Sequence, residues 1–237
     1  INKKMKNTTL VFTATYNEAG NIENFLDIAL KIKNIDILVI DDNSPDKTWE
    51  IIEKYKKKYS NLYLIKRPGK EGLDTAHKEA FKFAEKKNYS SLITLDADLS
   101  HDPNLITTFI DELKSRPFII GSRYMKDGKN DMKLFRYLLS YFGNKLIKLV
   151  LKINCEEFTT SFRGFNLNEL KSFDINKVNS RGYSFFMETI YHINKLGFKI
   201  HQIPIHFKIR TIGKSKIPPV EILRTLKNLF LLKMSNR

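Results

Sequence analysis

The 237-residue sequence holds one cysteine, Cys155. A lone thiol excludes a disulfide framework and suits a reducing compartment. Nowhere is there an uninterrupted apolar run of about 18 residues, so no membrane-crossing helix is expected. The first residues, Ile1-Asn2-Lys3-Lys4, are basic but lead into no apolar stretch, and a secretory leader is not expected either. Glycine fingerprints of nucleotide folds are also missing. Gly69-Lys70-Glu71-Gly72 has neither the Walker nor the Rossmann spacing, which excludes a glycine-cradled phosphate. Internal repeats, low-complexity tracts and long linkers are absent.

What is present is apolar material and positive charge. The length fits one sizeable domain, or one domain with a tail, and 42% hydrophobic residues suffice for a globular core. The formal net charge of +15 implies an anionic partner: nucleic acid, an anionic membrane surface or a phosphorylated substrate. The lysines are scattered over predicted helices rather than gathered in one tail, so many of them simply solvate the surface.

Apolar runs alternate with helical periodicity. Leu10-Val11-Phe12 is a predicted strand, followed by Ile22, Phe25, Leu26, Ala29 and Leu30 at helical spacing. Ile37 to Ile40 is a fully apolar strand, and a helix follows through Trp49, Ile52 and Tyr55. Leu62 to Ile65, Leu92 to Leu95 and Phe118 to Ile120 are three more strands, with helices over Thr75 to Lys86 and about Pro103 to Lys114 between them. This pattern predicts an α/β fold with a mostly parallel sheet covered on both faces. Ligands of such sheets sit beyond the carboxyl ends of the strands. Tyr16-Asn17-Glu18, Asp41-Asp42-Asn43, Asp96-Ala97-Asp98 and Ser122-Arg123-Tyr124 all lie there. After Gly128 the character changes. Leu134 to Lys152 is a long, mostly apolar helix with Arg136, Ser140 and Asn144 on one face. An arginine on such a helix either snorkels or waits for an anion. Val220 to Met234 is a second amphipathic segment, which can lie in a membrane interface or pack on the domain.

The run Ile93 to Pro103 poses the chemical question. It leads a buried strand into two carboxylates, Asp96 and Asp98, whose like charges repel. A divalent cation removes that conflict, because hard metals prefer carboxylate oxygens. A metal so held fits a nucleotide diphosphate, which also needs nearby Lys or Arg. Asp42, ending the second strand, can accept from a ribose or base; a simple helix-capping role for Asp41 or Asp42 is the plainer alternative. The histidines, His101, His192, His201 and His206, have no shared metal spacing on one element and read as core or surface residues.

Four stretches in order carry a family resemblance: Ala14-Thr15-Tyr16-Asn17-Glu18, Val39 to Thr48, Asp96 to His101, and Gly121-Ser122-Arg123-Tyr124. Arg136 with Ser140, Thr159 to Arg163, Pro204 to Phe207 and Arg210 to Lys216 extend it over roughly residues 9 to 217. The chain resembles family-2 glycosyltransferases, and within them the dolichyl (polyprenyl) phosphate mannosyltransferase group. The resemblance implies a GT-A-like (Rossmann-like) domain over residues 1–217, a C-terminal amphipathic and membrane-interfacial helix over 218–237, and Mg2+ or Mn2+. It implies a nucleotide-sugar donor, GDP-mannose or another such as UDP-glucose, and a polyprenyl phosphate acceptor. Peripheral attachment at the cytoplasmic face of a membrane is implied too; members without membrane helices can rely on a partner membrane protein. By position, Ala14, Tyr16, Glu18, Ile40 and Asp42 would hold the donor's nucleoside. Asp96, Ala97, Asp98 and Ser100 would surround its diphosphate, with Asp96, Asp98 and Ser100 on the metal. Arg123, Arg136 and Ser140 would receive the acceptor phosphate, and Arg210 with Lys216 would neutralise the donor diphosphate; the catalytic set is thus Asp98, Arg123, Arg210 and Lys216. Ala14, Gly-Leu-Asp at 72–74, Ser100 and Ser184 depart from the group's usual proline, Gly-Leu-Gly, glutamine and lysine.

Two features of polysaccharide-building relatives are missing: a Glu-Asp dipeptide to activate a hydroxyl, and a Gln-x-x-Arg-Trp signature, since the only tryptophan is Trp49. A polyprenyl phosphate is already an anionic nucleophile and needs cations rather than a base. The alternative enzyme uses a hydroxyl acceptor with Glu156 or Glu157 as base, although both are expected to solvate a turn. The alternative of another class is a noncatalytic basic module binding lipid or RNA. Carboxylates converging at strand ends speak against it, and nucleic acid is not expected as a partner.

Overall fold

The computed structural model describes residues 6–210, 212 and 220–234. Among the described residues six strands and four helices come first: β1 (Lys6–Thr15), α1 (Ala19–Ala29), β2 (Ile35–Asp41), α2 (Thr48–Lys56), β3 (Leu62–Lys66), α3 (Leu73–Lys86), β4 (Tyr89–Thr94), then α4 (Ile106–Glu112), β5 (Phe118–Ser122) and the two-residue β6 (Lys129–Asn130). The second part holds α5 (Leu134–Leu151), β7 (Arg163–Asn166), α6 (Ser184–Lys195), β8 (His201–Pro204), β9 (His206–Phe207) and α7 (Val220–Met234). Proline at position 103 starts a 3-10 turn over Pro103–Leu105, so the helix expected from about Pro103 begins at Ile106 instead.

The main sheet runs β3-β2-β1-β4-β7-β5-β8. Every pairing is parallel except those of β7, which is antiparallel to both β4 and β5. The fully apolar β2 is buried along all seven residues, as a strand covered on both faces must be. One layer of core packs α1, α2 and α4 through Ile22, Phe25, Ile52, Ile106 and Phe109. The opposite layer packs α3, α5, α6 and α7 through Ala80, Phe81, Ile147, Phe185, Ile190 and Leu229.

The C-terminal helix packs on the domain along one face. Leu229 and Leu232 of α7 are buried in the core, while Leu223 and Phe230 are 68% and 70% exposed. The helix therefore has an inner face committed to the domain and an outer apolar face. Its Glu221 accepts from the backbone N–H of Tyr183 at 3.1 Å. From the other side, Asp74 accepts from the N–H of Gly182 at 3.0 Å, where a φ of 60° suits glycine. Ser184 is buried and donates to Thr225 at 3.4 Å. Two of the sequence's departures, Asp74 and Ser184, thus stitch one seam between α3, α6 and α7.

Candidate active site

The carboxyl ends of β1, β2 and β4 lie side by side, because these strands are parallel neighbours. The chain leaves each of them through a left-handed turn residue: Asn17 (φ 56°), Asn43 (φ 55°) and Leu99 (φ 61°). Asparagine adopts that conformation readily, but leucine does so at a penalty of about 1 kcal/mol or more. At Leu99 this kinked turn brings the N–H of Ser100 onto Asp98 Oδ1 at 3.0 Å. Strain of this kind persists where the surroundings over-determine it.

Asp41 is structural. It is fully buried and accepts from Thr15 Oγ1, Ser44 Oγ and Ser44 N, closing the first two strand ends together. Asp42 is the available carboxylate there, and it pairs with Arg67, a residue the sequence reading missed. Burial pushes the Asp42 carboxyl up, against the opposing pull of Arg67. Arg67 also donates to Thr75 and to the Gly72 carbonyl, fixing the 67–75 loop. Lys70 of that loop places its ammonium 4.7 Å over the Tyr16 ring. Glu18 accepts from Asn21 Nδ2 at 2.8 Å and its N–H bonds Thr48. Ala14 is half-buried. The Ile40 side chain is fully buried in the core at the end of β2.

Asp96 keeps 42% of its side chain exposed, whereas Asp98, Ala97 and Ser100 are nearly covered. The surrounding protein, and then the Asp98 charge, push the Asp96 carboxyl up to about 7. Asp98 pairs with Arg210, so those two expected residues meet; Lys216 lies outside the described residues. Among the described residues no cluster of three or more His, Cys, Asp and Glu could cage a metal. Two repelling carboxylates with a hydroxyl beside them suit a hard cation that takes its remaining ligands from phosphate and water. His101 is buried next to them. Its Nε2 bonds Thr160 at 3.1 Å, its Nδ1 has no hydrogen-bond partner and lies 3.8 Å from Asp96, and burial pulls its pKa down to about 4.

At the end of β5 stands Arg123. Gly128 permits the following loop to fold back on it, since a Cβ there would meet the backbone of Ser122 and Arg123 at 2.7–2.8 Å. Arg123 Nε and Nη2 bond Glu157 Oε2 and Oε1 at 2.7 and 2.9 Å. Thr159 adds its N–H and hydroxyl to Glu157 Oε1 at 3.1 and 2.8 Å. Glu157 is fully buried, which corrects the expectation of a solvated turn. Burial would raise its pKa, but the Arg123 charge and these bonds outweigh it and hold Glu157 ionised. Glu156 is spoken for by Lys145 and Lys148. The polar stripe of α5 is confirmed as one face: Asn144 donates to the Ser140 carbonyl and accepts from Phe158 N, Ser140 bonds the Tyr124 hydroxyl at 2.7 Å, and Arg136 is exposed above them. Arg163, which closes the Thr159 to Arg163 stretch and had no role assigned from sequence, is buried and donates to the Thr160, Phe186 and Phe158 carbonyls, locking the loop that carries Thr159 and Thr160.

The Glycosyl transferase family 2 profile matches residues 10–172. The chain is 28% identical over 210 residues to an undecaprenyl-phosphate mannosyltransferase of Micrococcus luteus, covering 88% of this chain and 86% of that one. It is 29% identical to a polyprenol monophosphomannose synthase of Mycolicibacterium smegmatis, over 88% and 80% of the two chains. Among solved structures, glucosyl-3-phosphoglycerate synthase from Mycobacterium tuberculosis, with Mn2+, UDP-glucose and phosphoglyceric acid, matches with a TM-score of 0.65 at 15% identity, over 97% and 79%. The mannosyltransferase PcManGT from Pyrobaculum calidifontis, with GDP-Man and Mn2+, matches with a TM-score of 0.55 at 14% identity, over 97% and 72%. The fold is the GT-A glycosyltransferase fold.

Proposed function

The chain belongs to glycosyl transferase family 2, and from that premise we propose that it transfers mannose from GDP-mannose to a polyprenyl phosphate with inversion at the anomeric carbon. The observation that carries this reading is the fate of the carboxylates. Glu157 and Glu156, the two bases a hydroxyl acceptor would call on, are both consumed by cations. Arg123 is held on Glu157 and Arg136 lies on the α5 face of Ser140, and a phosphate acceptor needs such cations and no base.

In this reading Tyr16, Glu18 and Asp42 hold the nucleoside, with Arg67 orienting Asp42. Asp96, Asp98 and Ser100 would hold Mg2+ or Mn2+, which when bound supplies positive charge to the departing diphosphate. Arg210 exchanges Asp98 for that diphosphate, joined by Lys216. Arg123, Arg136 and Ser140 take the acceptor phosphate. Its oxygen attacks the anomeric carbon, the bond to the donor phosphate breaks, and the electron pair leaves on the nucleoside diphosphate. No proton moves.

The lipid acceptor calls for a membrane surface. No helix among the described residues is long and apolar enough to cross one. The exposed faces of α5 and α7, which pack on each other, offer Phe135 (81%) and Leu149 (74%) beside Leu223 and Phe230. In this reading the protein docks peripherally through these faces at the cytoplasmic side of a membrane, with a partner membrane protein as a further anchor.

A panel of nucleotide sugars, including GDP-mannose and UDP-glucose, offered with a short polyprenyl phosphate tests the reading. Product is expected from GDP-mannose and is expected to vanish in excess EDTA. Transfer from UDP-glucose alone would reassign the donor, and full activity in EDTA would remove the metal.

A further inference from the structure

Glu157 is a fully buried carboxylate bonded to Arg123, a pairing that could not be read from the sequence. It accepts two bonds from Arg123 and two from Thr159, three of them on Oε1 and one on Oε2. A carboxylate so engaged and fully buried is turned to its partners and away from an incoming hydroxyl. Its grip on Arg123 is side-on, through Nε and Nη2, and Nη1 is not part of it. The guanidinium also lies against two rings, its central carbon 5.2 Å from the Tyr124 ring centre and 4.8 Å from that of Phe207. An arginine fixed by a carboxylate on one edge and by aromatic neighbours loses the freedom that normally weakens a long cationic side chain. Its Nη2 also donates to Thr159 Oγ1 at 3.2 Å, so Nη1 is the amino group left for contact with an anion. The pairing also moderates the charge: a bare buried guanidinium would hold a phosphate too tightly for release, or would not stay in place without it.

We propose that Glu157 is a positioning residue, holding Arg123 side-on so that its remaining amino group receives the acceptor phosphate, and that it takes no proton in the reaction. This rests on the reading of Arg123 as an acceptor-phosphate ligand. Thr159 is the second support, because it fixes Glu157 Oε1 through both its N–H and its hydroxyl.

The test is steady-state kinetics on the full chain, with short polyprenyl phosphate varied at saturating donor, for Glu157→Gln, Thr159→Val and Arg123→Gln, each checked for a native melting transition. Glu157→Gln is expected to raise the acceptor KM about ten-fold or more, with donor KM within two-fold and the shape of the kcat–pH profile unchanged. Thr159→Val keeps the charge pair and loses the hydroxyl's bonds to Glu157 and Arg123, so it should raise the acceptor KM by less, and it carries the test if Glu157→Gln does not fold. Collapse of kcat at unchanged acceptor KM, with loss of the acid limb of the pH profile, would make Glu157 a base and overturn the proposal. So would an unchanged acceptor KM in both Glu157→Gln and Thr159→Val while Arg123→Gln raises it, which leaves the reading of Arg123 standing. An unchanged acceptor KM in Arg123→Gln would instead remove that reading, and the proposal with it.

Discussion

Asp96 and Glu188 titrate in opposite directions, and their neighbours account for the difference. Asp96 has the surrounding protein and a second carboxylate against it. Glu188 is buried, but hydrogen bonds from His192 and from the N–H groups of Ser180 and Asn179 outweigh burial and hold it down at about 2. A carboxyl lowered on folding from 4.5 to about 2 stabilises the protein above pH 4.5, and that contribution is lost as pH falls towards 2. At 1.36 kcal/mol per pH unit this amounts to about 3 kcal/mol. Urea unfolding between pH 7 and 3 should show the decline, and Glu188→Gln should start less stable and decline less steeply; equal slopes would mean that Glu188 is not the titrating group. Arg136 tests the acceptor side at the same scale. Lysine keeps the charge but not the planar fork, so Arg136→Lys should slow transfer about ten-fold or more, the equivalent of about 1.4 kcal/mol in the transition state. Donor binding, titrated without acceptor, should barely change. Equal losses in donor binding and in rate would move Arg136 to the nucleotide side.

Among the elements, α7 does two things at once. Leu229, Leu232 and Glu221 bind it to the domain, while Leu223, Phe230 and Met234 face outwards beside the exposed Phe135 and Phe142 of α5. Deleting the helix would therefore unroof the core as well as remove a docking face. Substituting the outer residues separates the two effects. Phe135→Ser with Phe230→Ser should weaken binding to anionic vesicles at least ten-fold, since each large apolar side chain withdrawn from water contributes about 1.5 kcal/mol or more, and the melting temperature should hold. Raising salt should weaken vesicle binding of the parent protein, because exposed charges are screened over about 10 Å at 0.1 M. Vesicle binding unaltered in the double variant would place the membrane contact elsewhere. The loop ahead of α6 is the other element of note. Asp74, Glu188 and Glu221 all accept from its backbone between Asn179 and Tyr183, so three carboxylates set the position of Tyr183, whose phenol is raised by burial and by Asp96.

For the molecule as a whole, the alternation of apolar strands and periodic helices made the parallel half legible, because burial on both faces writes itself into runs such as Ile37 to Ile40. The antiparallel β7 was not legible: Arg163-Gly164-Phe165-Asn166 is short, and its arginine turns into the core onto carbonyls rather than out to water. The pairs Arg67–Asp42 and Arg123–Glu157 join residues 25 and 34 positions apart. Only the first had a signal, in that Arg67 follows β3 where Asp42 follows the adjacent β2. The carboxylates and arginines of the site could be found in the sequence, but not which of them neutralise one another, and that distinction separates a phosphate acceptor from a hydroxyl one. The most direct measurement offers the purified protein a polyprenyl phosphate and the free polyprenol of the same length, side by side, with one nucleotide sugar and Mn2+. Mass spectrometry should find the glycosylated phosphate and no glycosylated alcohol. Glycosylation of the free polyprenol at a comparable rate would contradict the account, since it would require a base that the buried, arginine-bound Glu157 does not provide.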